Sequence, residues 1–359
     1  MSALLEGIRV LDLSQYAPGP YATRLLCNLG AEVIKIEPPG GDPLRRMFMG
    51  HSKNSVSQVY LTLNQGKQIA TINLKNSDTR EHLINLIANA DVLLESFRPG
   101  VVQRLGICYQ SCKVHNPNLV YCSLSGYGQE GPNRESAGHD LNYCAAAGMY
   151  SFNGPNAPAF PLVADHSGAM NAVNAILAAL VGRQKSQQGA YLDISLYDAI
   201  LSWQYFADHT MKDHDSKELL MLTGGAACYN LYKTADDRQI TLGALEAVFW
   251  RNFCDAMDKP DWVNRQQEAF PQTSLIDEVR QVIAIKPLEH WVRLLGKIDC
   301  CFEPVPFPED IYRHPQTQQR EIFGQGQSSF PGKINGAVAS SSQPTLMLEP
   351  HQLPNWINS

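Results

Sequence analysis

The stretch AGHDLNYCAAAG sets His139 and Asp140 among small and apolar residues. An imidazole there can act as a general base, because its ordinary pKa lies in the neutral range, or it can cap a helix that begins at the next aspartate. The peptide alone leaves both roles open. Four cations follow apolar, strand-like runs: Arg45 and Arg46 in PPGGDPLRR, Lys75 closing INLK, and Arg98 in SFRPG. Arginine forks match phosphate oxygens, and Gly40 and Gly41 would let the backbone approach an anion; solvated loop charges are the alternative.

Those cations fall where an α/β sheet presents its ligands. IRVLDL and AEVIKI read as short buried strands, and PGPYATRLLCNLG between them opens on proline and closes at Gly30 as a helix does. The alternation continues through IATINLK, the amphipathic SDTREHLINLIANA, DVLLESF and LVYCSLSGYG, a pattern that builds a mostly parallel sheet with helices on both faces. A long loop, SGYGQEGPNRESAGHD, leads to the helical SGAMNAVNAILAALVGRQKS, the strand-like YLDIS and a helix over LYDAILSWQYFADH. From there the character changes. CYNLYKTADDRQITLGAL reads as a hairpin turning at Asp236 and Asp237, followed by short helices. The expected division is a large domain over 1–200, a small domain over 201–315, and a segment over 316–359 that returns to the large domain.

Several chemistries lack their motifs. SQYAPGPYATRLL stands where a dinucleotide site needs G-x-G-x-x-G, and neither G-x-x-x-x-G-K-[ST] nor G-x-S-x-G occurs in the 359 residues. A net charge of −6 provides no basic surplus for nucleic acid or an acidic membrane. Nine cysteines, an odd number without a C-x-x-C pair, fit reduced thiols better than a disulfide framework or a zinc ribbon. MSALLEGIRVLDLSQ lacks the basic-then-apolar order of a leader, and the longest apolar run, near AILAALVG, is too short to span a bilayer. The expectation is a cytoplasmic protein.

Taken in order, GIRVLDLSQYAPGPYATRLLCNLGAEVIKIEPPGGDPLRR, INLK, ADVLLESFRPGVVQRLG, NPNLVYCSLSGYGQEGP, AGHDLNY, VADHSG and ILAALVGRQKSQQGAYLDISLYDA resemble the class III CoA-transferase and α-methylacyl-CoA racemase superfamily, the CaiB/BaiF-like proteins. Together with AGHDLNY, the segments GGAACYNLYKTADD, LGALE and CFEPVPFPEDIYRHPQTQQREIF are most similar to the racemase branch, and the resemblance runs from residue 5 to about 325. It implies an α/β fold, with a Rossmann-like large domain and a smaller α+β domain, in an interlocked homodimer. The site would lie between the large domain of one chain and the small domain of the other. It also implies an acyl-CoA ligand, with no metal or redox cofactor.

By the same resemblance, His139 and Asp165 of VADHSG fall on the racemase proton-transfer residues, and Glu246 of GALE on the carboxylate that pairs with the histidine. Lys75 and Arg98 fall on positions that touch the CoA nucleotide. Racemases commonly carry a basic residue where Pro38 stands, which would move that contact to Arg45 or Arg46. Read as isolated residues, Asp165 and Glu246 are equally good helix caps, and Asp140 reads as structural. The implied activity is inversion at C2 of a 2-methylacyl-CoA through an enolate, with backbone N–H groups near Gly168 as donors to its oxygen. Two alternatives stay open: a CoA-transferase that forms an aspartyl-CoA thioester on Asp165, and a CoA-binding protein without catalysis.

Overall fold

The computed structural model describes residues 3–49, 56–151, 160–205, 217–324, 327–341, 343–354 and 356. The chain divides into two compact units: Met1–Ala147, Ala157–Ser202 and Pro315–Ser359 form the first, Gly148–Asn156 and Trp203–His314 the second.

The first unit is built on β1 (Arg9–Leu13), β2 (Glu32–Glu37), β3 (Gln68–Thr71), β4 (Val92–Glu95), β5 (Val120–Ser125) and β6 (Ala190–Ser195), joined at one edge by the late strand Leu346–Leu348. These seven strands pair in parallel, in the order Leu346–Leu348, β3, β2, β1, β4, β5, β6. Runs such as VLLE and VYCSLS are apolar at most positions because a parallel sheet is covered on both faces. On one face Leu11, Leu13, Ile34, Ile36, Leu93 and Tyr121 pack with Leu83, Leu86 and Ile87 of the helix Ser77–Asn89.

The other face carries α1 (Pro18–Asn28), packed against the 24-residue helix Val163–Ser186. Pro18 and Pro20 suit the first turn of α1, where backbone N–H groups have no partner in the helix. The C-terminal segment closes the unit: Trp356 is buried in the sheet core and its carbonyl accepts an Arg9 Nη1–H bond at 2.9 Å.

In the second unit, β7 (Tyr229–Lys233) and β8 (Gln239–Gly243) form the expected hairpin, with Asp237 in the left-handed region at the turn, and β9 (Phe302–Pro304) extends it antiparallel. Trp250, Phe253, Trp262 and Trp291 fill its core. The helix expected over LYDAILSWQYFADH covers only Leu196–Leu201; its last residues, from Phe206, lie outside the described residues. The helix ends at Leu201, just before the second unit begins at Trp203. Among the described residues no helix is long and apolar enough to cross a membrane.

Candidate active site

The strand order β3, β2, β1, β4, β5, β6 reverses direction between β1 and β4, and ligands of such sheets bind in the crevice beyond the strands' carboxyl ends there. All the first-unit candidates lie on that side. Arg45 and Arg46 follow β2, Lys75 follows β3, Arg98 follows β4, and His139 follows the loop after β5. The cations are not equivalent. Arg45 is committed to the protein: its Nε donates to buried Glu37 Oε2 at 2.7 Å, and its guanidinium lies 4.3 Å from the centre of the Tyr60 ring. Arg46 donates to the Gly40 carbonyl at 2.9 Å, a backbone oxygen rather than an acid. Lys75 and Arg98 are exposed and, among the described residues, form no ion pair.

His139 is the N-cap residue of the helix Asp140–Ala146, hereafter α2. Its backbone N–H donates to Asn142 Oδ1 at 3.0 Å, and its own carbonyl accepts from Asn142 N–H at 2.8 Å. The cap is therefore made by the His139 backbone and the Asn142 amide, and the exposed imidazole makes no cap bond. Tyr143 locks the approach to it. The Tyr143 hydroxyl donates to the Gly138 carbonyl at 2.6 Å, and the ring fills space that only glycine leaves: a Cβ on Gly126 or Gly138 would stand 2.5 or 2.7 Å from Tyr143 Cε1.

Asp165 belongs to the first turn of the helix Val163–Ser186, hereafter α3, which starts four residues before the expected SGAMNAVN. It is not a cap. Two nearby backbone donors are also spent: Asp165 N–H goes to Asp140 Oδ1 at 3.0 Å, and Gly168 lies inside the helix. The expected donors at Gly168 are thus absorbed by helix bonding. The Asp140 bond docks the first turn of α3 on that of α2, so Asp165 sits beside the residue that directly follows His139.

Burial, and then the neighbouring Asp140 charge, push the Asp165 carboxyl up to about 7. A helix N-terminus favours negative charge, but here desolvation and a like charge outweigh it. Tyr143, raised to about 12 by burial and then by Asp165, marks how close the phenol stands to that carboxyl. Glu246, in the second unit, is the N-cap residue of the helix Ala247–Ala256, yet its exposed carboxylate makes no cap bond; its carbonyl accepts from Phe249 and Trp250 N–H instead.

The structure thus brings His139, Asp140, Tyr143 and Asp165 together, with Arg98 near enough to act on Tyr143. The Asp140 contact has no linear signal, because it spans 25 residues. Tyr143 had one in the spacing of AGHDLNY, which puts it one helical turn after Asp140. Among the described residues no group of three His, Cys, Asp or Glu side chains is spaced to hold a metal ion.

A sheet of this order, with its polar residues gathered beyond the carboxyl ends and a carboxyl tuned to neutrality, defines an α/β protein with a ligand crevice at the switch point. Residues 5–352 match CoA-transferase family III, and the chain belongs to that family. It is 31% identical over 329 residues to the human alpha-methylacyl-CoA racemase, covering 89% of this chain and 82% of the racemase. It is 29% identical over 344 residues to the succinyl-CoA:mesaconate CoA-transferase of Haloarcula marismortui, covering 89% and 85%. The crystal structure of Rv3272 from M. tuberculosis superposes with a TM-score of 0.80 at 27% identity, over 97% of each chain. Racemase and transferase stand at nearly equal identity, so likeness defines the family and leaves the branch to the chemistry of the site.

Proposed function

We propose that this protein is an acyl-CoA 2-epimerase that inverts the carbon next to the thioester carbonyl of a 2-methylacyl-CoA. One of the pair His139 and Asp165 takes the C2 proton; the C–H electrons pass to the thioester oxygen as an enolate; the other group returns a proton to the opposite face. Glu246, supplied by the second unit in the interlocked dimer that the family resemblance implies, orients His139. Lys75 and Arg98 take the CoA phosphates, with Arg46 at their flank and Arg45 holding the loop through Glu37. No redox or metal cofactor enters this reaction.

The observation that carries this reading is the docking of Asp165 against Asp140, the residue after His139, where burial and then the Asp140 charge raise its carboxyl to about 7. A group at that value gives and takes protons with little bias at neutral pH, as inversion in both directions requires. The imidazole of His139, on the residue before Asp140 and not used as a cap, supplies the second group. The test is wash-in of solvent deuterium at C2 of a 2-methylacyl-CoA in heavy water with no free carboxylic acid present. Label at C2 is expected; a bound but unlabelled substrate would sink the proposal.

The name of the Haloarcula relative favours a second reading, in which ionised Asp165 attacks the thioester carbonyl and expels CoA thiolate to form an acyl anhydride; CoA thiolate then attacks the aspartyl carbonyl, forming an aspartyl-CoA thioester and releasing the donor carboxylate. Turnover would then need an acceptor acid, and hydroxylamine would trap Asp165 after acyl-CoA is added.

A further inference from the structure

We propose that Asp140 is a positioning residue of this site: its buried carboxylate fixes the Asp165 backbone through one oxygen and sets a second negative charge against the Asp165 side chain. The inference rests on the acid/base reading of Asp165 given above and names the group that, added to burial, keeps that carboxyl ready to hold a proton.

The geometry separates the two acids. Asp140 is only 5% exposed and stands in the first turn of α2, where unpaired helix N–H groups favour a negative side chain. Its Oδ1 accepts the Asp165 N–H at 3.0 Å, and its Oδ2 accepts a long bond from Cys144 Sγ at 3.8 Å. Both oxygens are thus turned to donors of the docked helix ends. Asp165 has no such support: among the described residues its carboxylate accepts no hydrogen bond and forms no ion pair, and burial and the Asp140 charge act on it in the same direction.

The other groups around Asp165 do not relieve it. On α2 the neighbours are Tyr143 and Cys144, acids themselves pushed up by burial and then by the nearby carboxylates, Asp165 for Tyr143 and chiefly Asp140 for Cys144. On α3 itself His166 turns its Nδ1 to the Leu162 carbonyl and packs edge-on against Tyr21 of α1, over which Arg24 lies. The helix Leu196–Leu201 lays Leu196 against Gly168. Arg98 reaches the group through Tyr143. Asp140 is therefore the one neighbour among these whose charge can be deleted while its hydrogen bond is kept.

Asp140→Asn does this, since an asparagine Oδ1 still accepts the Asp165 N–H. The Asp165 carboxyl would be followed by carbon-13 NMR of aspartate-labelled full-length protein, its signal identified by its loss in Asp165→Asn. The expected result is a midpoint near 7 in the parent, lower by about one pH unit or more in Asp140→Asn. In parallel, the acidic limb of the pH profile for C2 deuterium exchange moves down by the same amount, with the thermal midpoint kept within a few degrees. An unmoved carboxyl midpoint overturns the inference. If the parent exchanges no deuterium while the carboxyl midpoint moves, the epimerase reading falls and the role of Asp140 stands; exchange in the parent with an unmoved midpoint gives the reverse. Should Asp140→Asn fail to fold, Asp140→Ser, which keeps an oxygen at the helix start, carries the same comparison.

Discussion

Two groups of acids, Asp12 and Asp42 fully buried and Asp165 partly so, lie toward the carboxyl ends of the same sheet and have opposite fates. At the end of β1, Asp12 is fully buried, but Lys67 Nζ stands 3.0 Å from its Oδ2, and Thr23 and Ser14 hydroxyls donate to it. Lys35, also fully buried, answers Asp42 at 3.1 Å and the Ser14 carbonyl at 2.7 Å. Lys67 Nζ also lies within 3.0 Å of Thr23 Oγ1, Asn64 Oδ1 and the Pro20 carbonyl, which share its other two donors. Burial alone would raise Asp12; the two lysines and the hydroxyls reverse it and hold the carboxyl far below its ordinary range. At Asp165 burial meets a like charge instead of a cation, and the carboxyl rises. Partners, rather than depth, separate a structural acid from one that can exchange a proton at neutral pH.

Removing Asp165 should have the largest effect. Asp165→Asn is expected to lower C2 inversion by about 10²- to 10⁴-fold, the usual span for a general acid/base, measured as loss of optical inversion in saturating acyl-CoA. Removing the cation from the other cluster should cost stability instead of chemistry. Lys67→Met leaves Asp12 short of its nearest counter-charge, and denaturant unfolding should show a loss of about 3–5 kcal/mol. A Lys67→Met protein as stable as the parent would erase the contrast between the clusters.

The third effect is smaller and runs against intuition. Ionising Asp165 is harder in the folded chain, at about 7, than at its ordinary 3.8. Its cost to folding is absent below about pH 3.8, grows through the window to 7, and is complete above it. Asp165→Asn should therefore gain stability on the order of 1–2 kcal/mol at pH 8 and nothing at pH 4, by the same denaturant titration. The smallest effect belongs to the exposed cations: Arg98→Ala or Lys75→Ala should raise KM for acyl-CoA roughly fivefold each, with kcat kept and a weaker salt dependence.

Much of the first unit was legible in the sequence because its signals are local. The Pro-started, Gly-ended α1 and the apolar strand runs, like the Asp236–Asp237 turn of the second unit, each depend on neighbours within a few residues. What escaped is non-local. The edge strand Leu346–Leu348 is three residues in a Ser- and Pro-rich tail, and only its pairing with Gln68–Ala70 makes it a strand. Lys67 carries no motif, and its ties to Asp12 and Pro20 cross 55 and 47 residues.

At the site the same division holds. AGHDLNY marked His139, and the cap reading was half right, since His139 does occupy the N-cap position but through its backbone. Asp165 was placed by resemblance; its environment came from Asp140, which read as a structural residue. Loop cations looked alike in the sequence, and only the buried Glu37 sets Arg45 apart from Arg98.

The central claim is that two groups work on opposite faces of C2, and one-sided exchange tests it most directly. Each enantiomer of a 2-methylacyl-CoA would be incubated separately in heavy water with the His139→Ala protein. The account predicts C2 deuterium in the single enantiomer whose proton faces Asp165, with its configuration retained and no exchange in the other. Equal exchange of both enantiomers with inversion, in a protein without the imidazole, would contradict it.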